Sequence, residues 1–344
     1  QNIQLTISSV DKPLAELQRI VILKQNFSSK KNCIEYISQL PQLLYAKGFI
    51  SASIDDIKVD SATIKASLFV GDKFVWNKLM IKQADEAYLA NVGIKPSIFK
   101  EQPFNPANVS IVQEKLLNYF VNNGYPFAEI KFDSLEIIDK KVNANLIINK
   151  GVLYKLDSIR QFGSIKLSKT FLYKYLDISP RSFYNEEKLK DINYKLSLLP
   201  YLQQKAPWQI TMLGTGFLID LYTDVKKSNQ VDAIIGFLPN NQQTDGSLLF
   251  TADAKLNLNN AFGTGETIAA NWQQIQPKSP RLNLQFVRPY ILKSKFGLDF
   301  SLDLFKKNSS FFTIQSSIGV IFSNTKNQKN KILFQTQQSY LSDV

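Results

Sequence analysis

The spacing of apolar and polar residues changes near residue 230, and the change divides the chain into two parts. From Phe250 to Asn259, apolar or small residues alternate strictly with polar ones. Because successive side chains of a β-strand point to opposite faces, this pattern predicts a strand with one apolar and one polar face. The pattern recurs toward the end of the chain and predicts strands at 230–239, 247–259, 264–276, 281–289, 295–306, 311–323 and 331–340.

Several of these strands reach the roughly 9–11 residues that a tilted strand needs to cross a bilayer. No apolar run approaches the ~20 residues of a membrane-spanning helix, so membrane insertion would require closed β-structure, in which all backbone groups are paired. The strands therefore predict a membrane β-barrel with a polar lumen. Four aromatic residues near strand ends are predicted to lie at the membrane interfaces: Trp272, Tyr290, Phe305 and Phe311.

The residues before 230 repeat a different pattern about every 78 residues. Each copy predicts the order strand, helix, helix, strand, strand, and the predicted domains are 1–72, 73–152 and 153–229, followed by 230–344 for the barrel strands. In the first two copies the second helix is followed by a turn that contains glycine, an aromatic residue and alanine. The residues of this turn, whose role we interpret as structural, are Gly48, Phe49, Ala52, Gly124, Tyr125 and Ala128.

Residues at the predicted helix ends support the repeat. Asn105 followed by Pro106 is a helix start, since asparagine caps free amides and proline fits the first turn. Asn185 followed by Glu186 predicts the start of a single helix over 186–202 in the third copy, with acidic side chains near its positive end. Gly48 and Gly124 lie just past helix ends, where a left-handed residue closes a helix.

The repeats, with their Gly-aromatic turns and Pro103-Phe104 entry, resemble POTRA domains, the polypeptide-transport-associated repeats. The segments 256–272 and 281–302 resemble early barrel hairpins of the outer-membrane assembly-factor superfamily. This resemblance implies an α+β fold of tandem POTRA repeats (β-α-α-β-β) followed by the first strands of an antiparallel transmembrane β-barrel. A barrel of that family has about sixteen strands, so seven predicted strands indicate a chain that stops within the barrel.

The composition indicates little enzyme chemistry. The chain has no histidine, the commonest general base, and one cysteine, Cys33, whose helical context predicts a core position. Gly263 to Thr267 lacks the Gly-Lys-Ser/Thr ending of a phosphate loop and is predicted to be a hairpin turn. The net charge is +12, but the chain lacks the dense basic clusters of a nucleic-acid-binding protein. We expect no enzyme activity, no cofactor, no metal and no nucleic acid.

The resemblance also implies a function. The POTRA units would lie in the periplasm and hold unfolded outer-membrane protein clients or accessory subunits, and the barrel would lie in the lipid of the outer membrane. Weak pairing of the first barrel strand would let it open and template client strands. The candidate residues of this lateral gate are Val231, Ala233, Ile235, Gly236, Leu238 and Pro239. Two alternatives remain open: a two-partner-type secretion pore for a dedicated substrate, and a periplasmic binding scaffold anchored by a β-domain.

Overall fold

The computed structural model describes residues 2–239, 248–276, 278–307, 310–323 and 329–341. The chain divides into two compact bodies, Gln1–Leu153 and Tyr154–Val344. The first body contains two α/β units, and the second contains a third α/β unit followed by a seven-stranded sheet.

The first α/β unit packs two helices on a four-stranded sheet. Its elements are β1 (Ile3–Ser9), α1 (Leu14–Ile20), β2 (Asn26–Phe27), α2 (Lys30–Tyr45), β3 (Ser53–Val59) and β4 (Thr63–Phe69). The strand order is β2-β1-β4-β3, with β1 and β4 parallel. Ser29 caps α2 by accepting a hydrogen bond from the Asn32 amide, and α2 buries Cys33 in the core, as predicted.

The second α/β unit repeats this plan with one short and one long helix. Its elements are β5 (Val75–Ile81), α3 (Glu86–Asn91), α4 (Pro106–Val121), β6 (Glu129–Ile138) and β7 (Lys141–Asn149), and the strand order is β5-β7-β6. Asn105 caps α4 through the Ala107 amide, which confirms the predicted helix start. The rings of Phe99 and Phe104 pack edge-on against the buried Trp76.

The third α/β unit has a shorter and more broken helical layer. Its elements are β8 (Lys155–Phe162), α5 (Lys169–Leu176), α6 (Glu186–Lys190), α7 (Ile192–Ser197), β9 (Leu202–Leu213) and β10 (Gly216–Val225), in the strand order β8-β10-β9. The prediction of a single helix over 186–202 is wrong. The helix is interrupted at Asp191, and the helical conformation ends after Ser197. Leu189, Ile192 and Leu196, which have helical spacing across the break, all lie in the core.

The last part of the chain forms one sheet in which every strand pairs with its neighbours in sequence. The strands are β11 (Gln230–Pro239), β12 (Leu248–Asn259), β13 (Thr267–Gln274), β14 (Arg281–Arg288), β15 (Phe296–Lys307), β16 (Phe311–Ser323) and β17 (Lys329–Leu341). All pairs are antiparallel, and within the described residues β11 and β17 are the two unpaired edges. The predicted fold class is confirmed, while the predicted domain boundaries stay predictions.

Among the described residues, no helix is long and apolar enough to span a membrane.

Candidate functional site

The strand β11 forms one edge of the seven-stranded sheet. It pairs with β12 through ten consecutive residue pairs, from Gln230–Asn257 to Pro239–Leu248, and the register has no shift. Its other side exposes backbone amides and carbonyls, which can pair with a strand from another chain. All six predicted gate residues lie in this strand, although the side chains of Leu238 and Pro239 lie outside the described residues.

The described side chains of β11 are largely exposed. Val231 is 74% exposed, and Ile235 and Phe237 on the same face are exposed as well. Phe237 packs edge-on against Phe250 of β12. A side chain at Gly236 would place its Cβ 2.8 Å from Thr251 Oγ1, so the glycine permits close contact between these strands. An apolar surface of this kind needs a partner or a lipid environment.

The register of the sheet separates a polar face from an apolar face. One row of residues lies directly opposite one another across all seven strands and is entirely polar: Asp232, Lys255, Asn271, Asn283, Asp303, Gln315 and Gln337. The neighbouring row on the other face is mostly apolar: Ala233, Ala254, Trp272, Leu282, Leu304, Ile314 and Gln338. The alternation predicted from the sequence is thus aligned between strands.

Side-chain pairs tie the polar face together across the strands. Arg281 Nε lies 3.1 Å from Asp303 Oδ1, and Asn283 Nδ2 lies 3.3 Å from Asp303 Oδ2. Lys331 of β17 forms an ion pair with the buried Asp299 of β15. Such cross-strand pairs favour this register, since a slip of one residue would move the polar set to the apolar face.

The structure places two of the four predicted interfacial aromatic residues on the polar face of the sheet, and the interfacial role of all four stays a prediction. Phe305 lies opposite Arg281 and Thr313, so it belongs to the polar face. Phe311 lies on that same face, 6.1 Å from the ring of Phe305. The cause is strand parity, because Leu304 and Phe312 occupy the apolar face. Of the three that lie in or beside a strand of this sheet, Trp272 alone lies on the apolar face.

Tyr290 contacts the third α/β unit instead of an open surface. Its ring lies 5.9 Å from that of Phe171 in α5, and it packs against the core of that unit. The residue has a left-handed backbone, with φ of 57°, at the start of the connection between β14 and β15. It therefore helps to fix the sheet to the third unit.

The β12–β13 hairpin also packs against α5. The Ser168 amide, at the start of α5, donates to the Gly263 carbonyl at 2.7 Å, and a Cβ at Gly265 would overlap the ring of Phe171. Gly265 has φ of 77°, in the left-handed region that favours glycine. The segment is the predicted hairpin turn, and its glycines serve this close packing.

Glu266 holds the hairpin in shape. Its side chain is 1% exposed and accepts hydrogen bonds from the Phe262 amide at 2.5 Å and the Thr264 hydroxyl at 2.6 Å. Burial by itself would raise the pKa of the Glu266 carboxyl, but these hydrogen bonds outweigh it and lower the pKa below its usual value. The residue therefore remains an ionised acceptor at neutral pH.

Asp177 links the third unit to the connection before β15. The residue ends α5 in the left-handed conformation, with φ of 57°, and its carboxylate lies 2.9 Å from both Lys188 Nζ and Lys295 Nζ. Burial opposes ionisation, but the Lys295 and Lys188 ammonium groups more than compensate and hold the pKa of Asp177 below its usual range. Sequence analysis missed this link because Lys295 is distant along the chain.

The Gly-aromatic turns lie at the ends of the long helices α2 and α4. Phe49, Ala52 and Ala128 are buried, and both Gly48 and Gly124 have positive φ. The Gly48 carbonyl accepts a hydrogen bond of 2.8 Å from the Phe74 amide at the entry to the next unit. A Cβ at position 48 would lie 2.5 Å from the Phe74 carbonyl oxygen. This turn therefore connects the first two α/β units.

The sheets of the α/β units have less regular edges than the large sheet. Their long edge strands β3, β5, β6, β8 and β9 all contain a register shift. In β9 the shift coincides with Pro207, which lacks the amide hydrogen that a pairing strand needs. Bulges and proline discourage strand addition. Among the long edge strands described, β11 and β17 have continuous register.

The described residues contain no group of three or more Cys, Asp or Glu side chains that could hold a metal ion. Two pairs of adjacent acidic residues lie elsewhere: Asp55 and Asp56 in β3, and Glu186 and Glu187 in the first turn of α6.

Comparisons with known proteins identify similar structures only. No family model matches the sequence, and no curated protein matches it. BamA from Haemophilus ducreyi lacking POTRA domains 1-3 is 14% identical, with a TM-score of 0.49 over 78% of this chain and 51% of that chain. CdiB from Acinetobacter baumannii is 11% identical, with a TM-score of 0.47 over 80% of this chain and 55% of that chain. POTRA1-3 of the periplasmic domain of Omp85 from Anabaena is 12% identical, with a TM-score of 0.28 over 65% of this chain and 93% of that chain. The chain thus spans about half the length of the BamA structure.

Proposed function

We propose that the protein is a member of the outer-membrane assembly-factor superfamily that helps β-rich client proteins to insert into or cross the outer membrane. In this proposal the α/β units lie in the periplasm, and the seven strands form part of a barrel wall. Clients bind by adding a strand to β11, and no nucleotide or cofactor takes part. Accessory subunits would bind the α/β units.

The observation that carries this proposal is the continuous, unpaired edge of β11. Strand addition uses main-chain hydrogen bonds for affinity and alternate side chains for specificity. β11 offers ten residues in unbroken register, about the length of one membrane-crossing strand. It also presents an apolar face continuous with that of the sheet. The edge strands of the α/β sheets are less suited to strand addition, because each of the long ones contains a register shift.

Site-specific photocross-linking in cells tests the proposal. A photoreactive residue at Ala233 in β11 should capture nascent outer-membrane proteins. The matched control is Ala270 in β13, which lies on the same face but in a strand paired on both sides. We expect client adducts at position 233 and none above background at position 270. Adducts from Thr336 in β17 alone would assign the clients to the other edge and refute the assignment to β11.

Depletion of the protein separates this function from its alternatives. An assembly factor predicts the loss of many outer-membrane proteins. Loss of a single exported substrate would instead indicate a secretion pore, and an unchanged outer-membrane proteome would indicate a binding scaffold.

A further inference from the structure

A polar cavity of about 440 Å³ lies where the third α/β unit meets the start of the seven-stranded sheet. Three segments line most of it: 164–166, 225–229 and 259–263. Hydrogen bonds hold these segments together, since the Asn259 amide donates to Asn229 Oδ1 at 2.8 Å and Asn260 Nδ2 donates to the Lys166 carbonyl at 3.3 Å. The cavity is therefore built into the fold, and its size suits a small polar group.

The charges around this cavity favour an anion. Lys166 and Lys226 line it, Lys227 is exposed beside it, and no carboxylate is among its lining residues. Neither lining lysine has an ion-pair partner in the part of the chain that the structure describes. The nearby Asp224 carboxylate already accepts hydrogen bonds from the Ser164 amide and hydroxyl.

The cavity lies at the end of β11 where exposed apolar side chains begin. Asn229 lines it, and Val231, two residues further along, is 74% exposed on the apolar face. Two residues of extended chain span about 7 Å. This distance is close to the thickness of the headgroup layer that covers the hydrocarbon core on each side of a bilayer. Phe262 lines the cavity and is also 74% exposed, and girdles of aromatic residues flank the apolar band of membrane barrels.

We propose that this cavity binds the phosphate of an anionic phospholipid headgroup, with Lys166 and Lys226 as the cationic partners and Phe262 in the interface. The lipid would thereby secure the third α/β unit against the membrane surface beside the free edge of β11. The proposal rests on the membrane location proposed above.

Native mass spectrometry of the full-length protein in detergent tests this binding. Short-chain phosphatidylglycerol is titrated against short-chain phosphatidylcholine and against inorganic phosphate. We expect one saturable phosphatidylglycerol with at least tenfold preference over phosphatidylcholine. Each lysine near an anionic lipid contributes about fivefold in affinity, so K166S/K226S should weaken binding about 30-fold. The control K30S/K78S removes two exposed lysines of the first body and should change affinity less than twofold.

Equal binding of the two lipids, or equal loss in both double variants, would overturn the proposal. Inorganic phosphate that competes at the same concentration as the lipid would identify free phosphate as the occupant and would also overturn it. Lipid binding without client adducts at position 233 in the unaltered protein would refute the proposed function while leaving this inference intact.

Discussion

Replacing Gly265 by alanine should detach the β12–β13 hairpin from α5. A Cβ at this position overlaps the Phe171 ring, which is itself buried in the core of the third unit. The ring cannot swing into solvent without exposing that core. Overpacking of this kind costs about 1–3 kcal/mol, and alanine at positive φ costs roughly 1–2 kcal/mol more.

The control Gly214→Ala isolates the contact with Phe171. Gly214 also has a left-handed backbone, with φ of 57°, and lies in the same body, but a Cβ there meets nothing within 4 Å. Both variants share the backbone penalty, and only Gly265→Ala introduces the overlap. The difference between them is therefore the packing term of about 1–3 kcal/mol, or about 5- to 150-fold in a local opening equilibrium.

Hydrogen exchange measured by mass spectrometry reports this opening directly. Peptides that cover 166–172 and 258–268 should exchange faster in Gly265→Ala, because the hydrogen bond from the Ser168 amide to the Gly263 carbonyl is lost. The same peptides should be unchanged in Gly214→Ala. Adding Phe171→Leu should recover part of the protection, because the smaller side chain leaves room for the Cβ. Equal exchange in the two glycine variants would refute the packing argument.

Three further predictions concern other links in the molecule. The pKa of Asp177 is lowered in the folded protein, so its contribution to stability is fully present above about pH 4 and is lost as pH falls through the folded pKa. Acid should therefore lower the protection factors of the amides in α5, taken relative to the intrinsic exchange rate at each pH, and Asp177→Asn should abolish that loss. Asp11→Ala removes the acceptor of two backbone amides at 2.8 Å and should destabilise the first body by about 1–3 kcal/mol in urea unfolding, whereas an effect below 0.5 kcal/mol would contradict the bonds described. Gly48→Ala should destabilise that body by about 2–5 kcal/mol, and Gly93→Ala, at positive φ in open space, by about 1–2 kcal/mol; equal losses would remove the role of the Phe74 contact.

The sequence predicted the strands of the large sheet well because strict alternation leaves few other solutions. The strand predicted at 311–323 has the same bounds in the structure, whereas the one predicted at 264–276 is shorter, Thr267–Gln274. The difference arises because Thr264 and Glu266 are used in the hairpin turn. Local polarity cannot show that a carboxylate will fold back onto its own turn.

The faces of Phe305 and Phe311 could have been predicted from parity. Each follows or precedes a residue of the apolar face by one position, and so points to the other side. By contrast, the contact between Tyr290 and Phe171 joins residues far apart in sequence, and a single sequence carries no signal for it. The break at Asp191 was missed because α6 and α7 together retain helical spacing across it.

The order of strands in the large sheet has a consequence for how the protein itself folds. Within this sheet, every described strand pairs with the next strand in sequence. The sheet can therefore grow one hairpin at a time, and each added strand closes only a short loop. In the first α/β unit, by contrast, β1 must find β4 in parallel across most of the unit, as with Leu5 and Ile64. Non-local pairings of this kind slow folding. The three small units, rather than the large sheet, should therefore set the time that the chain needs to reach its native state.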